Sequence, residues 1–91
     1  MKVIMNGKMY NTETAKNVGS WNTEDNYDGF YYNVQTLYKK KTGEFFIYDY
    51  GMNPRHKWEK IEKLTEKQAK EWSEKHLSTE EYIEIFGDVE E

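Results

Sequence analysis

Two histidines, His56 and His76, are the only imidazoles in the chain. A histidine metal centre needs close-set pairs, such as HxxxH or HxH, with a further ligand beside them. Neither spacing occurs here. His56 lies in the basic run Arg55-His56-Lys57. His76 lies near the end of a helical pattern, where the helix dipole favours an imidazolium. Structural or solvent-facing roles are expected for both. The serines are Ser20, Ser73 and Ser78; none stands in a G-x-S-x-G turn, and Ser78 reads as a helix cap. The six glycines are dispersed, so no loop can cradle a phosphate. There is no cysteine, which excludes disulfides, thiolate nucleophiles and cysteine zinc sites. Carboxylates are plentiful, but an acid–base pair of the glycosidase type needs a cleft to hold substrate between the two groups. A chain of 91 residues buries only about 60–65% of its unfolded surface and has little interior to spare. The expectation is a protein that is not an enzyme and uses no cofactor or metal.

Charge carries more information. Residues 1–58 hold eight Lys/Arg against six Asp/Glu, a net +2; residues 59–91 hold five Lys against eleven Asp/Glu, a net −6. Two surfaces follow. One is the tip Lys39-Lys40-Lys41 between aromatic runs, where lysines on phosphates and tyrosines under bases would bind single-stranded nucleic acid. Three lysines are few, and the overall charge of −4 opposes that use. The other is the acidic end. Glu80, Glu84, Asp88, Glu90 and Glu91 form an anionic row suited to a basic groove of a partner protein, with fast, salt-sensitive association.

The elements that position these residues centre on Phe30–Gly51, FYYNVQTLYKKKTGEFFIYDYG. The alternation predicts two strands, 30–39 and 44–50, joined by the lysine tip as a hairpin. In the first strand Phe30, Tyr32, Val34, Thr36 and Tyr38 share one face and Tyr31, Asn33, Gln35, Leu37 and Lys39 the other. In the second, Phe46, Tyr48 and Tyr50 share one face and Phe45, Ile47 and Asp49 the other. Both faces carry apolar residues, so either can be the buried one. Upstream, Asn6-Gly7 between short apolar runs predicts a first hairpin, roughly 3–5 with 8–10. Residues 11–14 predict a turn, 15–21 a weak strand with a bulge at Gly19, and 22–29 a loop. Gly51–Trp58 reads as a connection, and 58–64 as an edge strand guarded by charges.

From Leu64 the period changes. Thr65 with Gln68 and Ser78 with Glu81 are two capping boxes, each followed by an apolar helical stripe, and Gly87 stands at the expected stop. Helices are predicted over 66–77 and 79–86. Hydrophobic content is only 36%, but 15 residues are Phe, Tyr or Trp, and each can bury roughly 150–250 Å². The expected fold is therefore α+β in a single domain, 1–91. A small twisted antiparallel sheet of four or five strands, about residues 2–62, is covered on one face by two short C-terminal helices, with an acidic tail at 88–91. The helix-side core is expected from Ala69, Trp72, Leu77, Tyr82, Ile83 and Phe86. No apolar run reaches the ~20 residues of a membrane span, and residues 1–5 are too short for a signal peptide. The expected location is the cytoplasm.

LYKKKTGEFFIYDYG, preceded by KMYNTETAK and followed by LTEKQAKEWSEKHLSTEEYIEIFG, resembles a group of small proteins carried by phages and mobile elements of low-GC Gram-positive bacteria. The shared positions are Tyr10, Thr12, Thr14 and Ala15; Thr36, Leu37, Tyr38, Gly43, Phe45 and Phe46; Leu64, Ala69 and Trp72; Tyr82, Phe86 and Gly87. Most are turn, core and cap residues, so the resemblance implies a fold more than an activity. Such cargo includes anti-CRISPR proteins. The resemblance thereby implies a non-enzymatic inhibitor that binds a CRISPR effector nuclease in a bacterial host and blocks DNA binding or cleavage. Its contact surface is expected at the acidic row above together with Tyr31, Tyr48 and Tyr50 on the hairpin. Two other readings stand beside it. One is a nucleic-acid-binding accessory protein using Lys39, Lys40 and Lys41. The other is a structural module in which an exposed aromatic face pairs two copies as a homodimer.

Overall fold

The structure is a computed structural model that describes residues 1–23 and 32–87. Six strands are followed by two helices: β1 (Lys2–Met5), β2 (Lys8–Asn11), β3 (Lys16–Thr23), β4 (Tyr32–Lys39), β5 (Phe45–Asn53), β6 (His56–Leu64), α1 (Glu66–His76) and α2 (Thr79–Phe86). The fold is α+β, as the change of period predicts. The strands divide into a separate β1–β2 hairpin and a four-stranded antiparallel meander in the order β3-β4-β5-β6.

Turn chemistry accounts for the first hairpin. Asn6 (φ 53°) and Gly7 (φ 75°) both occupy the left-handed region that a two-residue hairpin turn demands. In the following turn the Asn11 side-chain carbonyl accepts from the Glu13 N–H, and the Asn11 backbone carbonyl accepts from the N–H groups of Thr14 and Ala15. The predicted bulge is present, with Val18 as the extra residue: Asn17 pairs with Tyr38 and Gly19 with Leu37. Gly19 also makes room for a helix-side residue, since a Cβ there would lie 2.7 Å from Leu77 Cδ1. β3 runs two residues beyond its expected end, to Thr23. The expected loop from 24 onward and the expected strand start at Phe30 and Tyr31 lie outside the described residues.

The expected connection Gly51–Trp58 is a hairpin instead. β5 continues to Asn53, Pro54-Arg55 make the turn, and β6 begins at His56. Two local features explain it. The Asn53 side-chain oxygen accepts from the Arg55 N–H at 2.9 Å and closes the turn. Gly51, without a side chain, lets the Trp58 ring lie across the strand, so a glycine in the run does not end it.

Both capping boxes form, at Thr65/Gln68 and Ser78/Glu81. Gly87 (φ 89°) ends α2, its N–H donating to Ile83 O at 2.7 Å. The helices settle which sheet face is buried. Leu37, Phe45, Ile47 and Ala69 form the core cluster, with Val18, Leu64, Trp72, Ile85 and Phe86 packed on it. The opposite face carries Tyr38 and Phe46, stacked at 5.2 Å, and the first hairpin covers them by setting Tyr10 edge-on to Phe46 at 5.6 Å. Glu44 pins that hairpin to the β4–β5 turn: Lys8 reaches it at 3.2 Å, Lys40 at 3.3 Å and the Thr42 hydroxyl at 3.0 Å. These donors hold the Glu44 carboxyl down to about 2, with Lys8 and then Thr42 as the chief causes.

Candidate protein-binding face

Antiparallel register places directly paired residues on the same face of a sheet. On the side away from the helices, Tyr32 pairs with Met52, Val34 with Tyr50, Thr36 with Tyr48 and Tyr48 with Ile61. The first hairpin covers only the Phe46 end. The remaining group, Tyr32, Val34, Tyr48, Tyr50, Met52 and Ile61, is half-buried and has no cover among the described residues. Its phenols are held in place. Tyr32 and Tyr50 rings lie 5.6 Å apart, and the neighbouring Tyr50 phenol, first, raises the Tyr32 pKa. The Tyr48 hydroxyl donates to Glu59 Oε1 at 2.7 Å; burial first, and then that bond, push it up to about 12. Tyr32 and Tyr48 are therefore neutral at neutral pH. The arrangement is rigid, apolar in its body and polar at its tips, which is what aromatic anchors of protein interfaces offer.

The structure separates the residues expected to act together. Tyr48 and Tyr50 are on the open face. Glu80 and Glu84 are exposed on α2, which packs against the other face through Ile85 and Phe86. One flat partner surface cannot touch both sets. Tyr31, Asp88, Glu90 and Glu91 lie outside the described residues. The lysine tip is also divided. Lys39 lies over the Phe45 ring on the helix side at 5.6 Å, whereas Lys40 lies over Tyr10 at 4.2 Å on the opposite side and bonds Glu44. Of the three, Lys41 alone is exposed, and Lys39 and Lys40 are half-buried. A phosphate-tracking groove needs convergent cations, and this geometry weighs against one.

The chain matches no family model, no curated protein and no solved structure. The functional reading therefore stands on geometry and charge.

Hollows are shallow. One of about 560 Å³ opens between the first hairpin and the start of α1, and its charges are mixed: Lys8 and Lys63 with Glu44 and Glu66. No three His, Asp or Glu residues among those described come together to hold a metal. The His76 ring lies 4.2 Å from that of Trp21 and 5.2 Å from that of Trp72, tilted to both. Burial, and then Lys75, lower its pKa. The direction is opposite to the one expected from the helix end, because desolvation disfavours the charged imidazole.

Sequence reasoning missed a buried polar chain on the helix side. Asp49, only 7% exposed, accepts from Asn33 Nδ2 at 2.6 Å, Gln35 Nε2 at 3.3 Å and Trp58 Nε1 at 3.2 Å. Gln35 Oε1 in turn accepts from Trp72 Nε1 at 2.9 Å, linking the sheet to α1. The signal was an acid inside FFIYDYG, opposite an Asn-x-Gln strand. Only the register shows that these side chains converge. The chain of bonds satisfies a carboxylate that would be costly to bury alone.

Proposed function

We propose that this protein is a non-enzymatic binding protein whose principal docking surface is the open tyrosine face. We further propose that its target is a CRISPR effector nuclease, which it inhibits by occupying a surface needed for DNA binding or cleavage. The observation that carries the docking surface is the cluster Tyr32, Tyr48 and Tyr50 with Val34, Met52 and Ile61, half-exposed on a rigid sheet opposite the helices. Preordered aromatic side chains lose little entropy on binding and are enriched among the residues that dominate interface energies. The target class rests on the resemblance to mobile-element cargo and on the acidic balance of −4. The acidic residues of α2 then steer the approach to a basic nuclease rather than form the contact.

The test is co-elution with, and inhibition of, effector nucleases of the types found in low-GC Gram-positive hosts. Wild-type protein is expected to block cleavage. Tyr48→Ala with Tyr50→Ala is expected to abolish the block by raising Kd roughly 100-fold or more. Glu80→Lys with Glu84→Lys is expected to slow association while leaving dissociation almost unchanged. Complete cleavage with no co-elution across those types rules out the nuclease target. Inhibition that survives loss of both tyrosines rules out the face.

A further inference from the structure

β6 is the outermost strand of the meander, paired with β5 on one side and with no strand on the other among the described residues. Such an edge invites pairing, and alternating charges are the usual protection. The charges here have a particular order. Trp58-Glu59-Lys60-Ile61-Glu62-Lys63-Leu64 is antisymmetric about Ile61. Placed antiparallel to itself with Ile61 opposite Ile61, the strand sets Lys60 against Glu62, Glu59 against Lys63 and Trp58 against Leu64, each twice. Every cross-strand pair is then an opposite-charge or an apolar pair, the combinations that stabilise antiparallel strands.

The four neighbouring residue-centred registers fail. Centring on Glu59 or Glu62 opposes two glutamates, and centring on Lys60 or Lys63 opposes two lysines; like charges directly opposite are destabilising. Hydrogen bonding agrees with the Ile61 register. Residues at equal distances from a central residue share the same alternation, so N–H and C=O groups directed outward on one strand meet groups directed outward on the other. Glu59, Lys60, Glu62 and Lys63 are exposed, and Trp58, Ile61 and Leu64 are half-buried.

We infer that the β6 edge is a self-recognition surface, on which two copies of this chain pair antiparallel about a two-fold axis through Ile61 to form one eight-stranded sheet. The axis is perpendicular to the sheet, so the helices of both copies fall on one side and both tyrosine faces on the other. This mode is edge-to-edge and leaves the aromatic faces free. It does not depend on the identity of any other partner.

Sedimentation of the full chain and of charge variants tests the register. Wild type is expected to dimerise. Lys60→Glu, which opposes acids at two symmetry-related pairs, is expected to weaken the dimer roughly 10- to 100-fold. The double variant Lys60→Glu with Glu62→Lys restores both pairs with reversed polarity and is expected to dimerise as wild type does. The chain has no cysteine of its own, so Ile61→Cys gives a second readout. Directly opposed residues stand about 4.5–5.5 Å apart at Cα, within disulfide range. That variant is expected to oxidise to a covalent dimer, whereas Lys60→Cys is not. A wild-type chain that stays monomeric up to about 1 mM, a dimer indifferent to Lys60→Glu, or equal cross-linking of the two cysteine variants would overturn the inference.

Discussion

Replacing Gly51 by alanine tests whether the β5–β6 hairpin is held as described. An added Cβ would fall 2.1 Å from Trp58 Cζ2 and 2.4 Å from Cε2, both atoms of a rigid ring rather than the end of a flexible chain. The indole must therefore leave its seat. In moving, it withdraws the Nε1 donor from Asp49, which stands at 3.2 Å, and leaves that carboxylate with Asn33 and Gln35. Overpacking of this kind costs about 1–3 kcal/mol, and a hydrogen bond to a charged group contributes about 1.5–3 kcal/mol. The ring sits on an edge strand and can swing outward, so the two costs overlap; a net loss of about 2–3 kcal/mol is expected. For a chain of 91 residues that is a large part of a total stability of about 5–14 kcal/mol. Urea unfolding followed by far-UV circular dichroism measures it without relying on Trp58 as the probe. The decisive comparison is a double-mutant cycle. With Trp58→Ala already present, the clash and the bond are both gone, and Gly51→Ala should then cost less than about 0.5 kcal/mol. An equal cost in both backgrounds would refute the reasoning, because the penalty would then reside in the backbone rather than in the ring.

Three further outcomes are expected. Thr65→Ala and Ser78→Ala each remove one half of a capping box and should cost about 1 kcal/mol apiece in urea unfolding. The Glu44 carboxyl is depressed from 4.5 to about 2, so its contribution is fully present above about pH 4.5 and lost as pH falls through about 2. Glu44→Gln should flatten the acid limb of the stability curve across that window. His76 is held below its usual 6.5 by burial beside Trp21 and Trp72. The unfolded chain takes up the proton first, so stability should fall as pH drops through about 6.5, and His76→Gln should remove that slope.

Much of the architecture could be read from residues whose effect is local. Asn6-Gly7 specifies its turn because a two-residue hairpin needs two left-handed positions, and few other pairs accept both. Thr65 with Gln68 and Ser78 with Glu81 specify helix starts, because the donors they satisfy lie within one turn of the cap. Gly51 was misread for the complementary reason. A glycine in a strand can end it or admit a ring from the neighbouring strand, and Trp58 decides which.

The α+β class, the order of the elements, both capped helices and the division of charge are legible along the chain. All depend on contacts a few residues long, or on composition. Which face of the sheet is buried was decided only in three dimensions. Leu37, Phe45 and Ile47 and their alternates Tyr38, Phe46 and Tyr48 are almost equally apolar, and the helices that choose between them arrive from residues 66–86. That choice buries Asp49 with Asn33, Gln35 and Trp58 on one side and leaves Tyr32, Tyr48 and Tyr50 open on the other. It also parts the tyrosines from Glu80 and Glu84. Proximity between elements distant in sequence comes from packing, and neither charge nor periodicity along the chain encodes it.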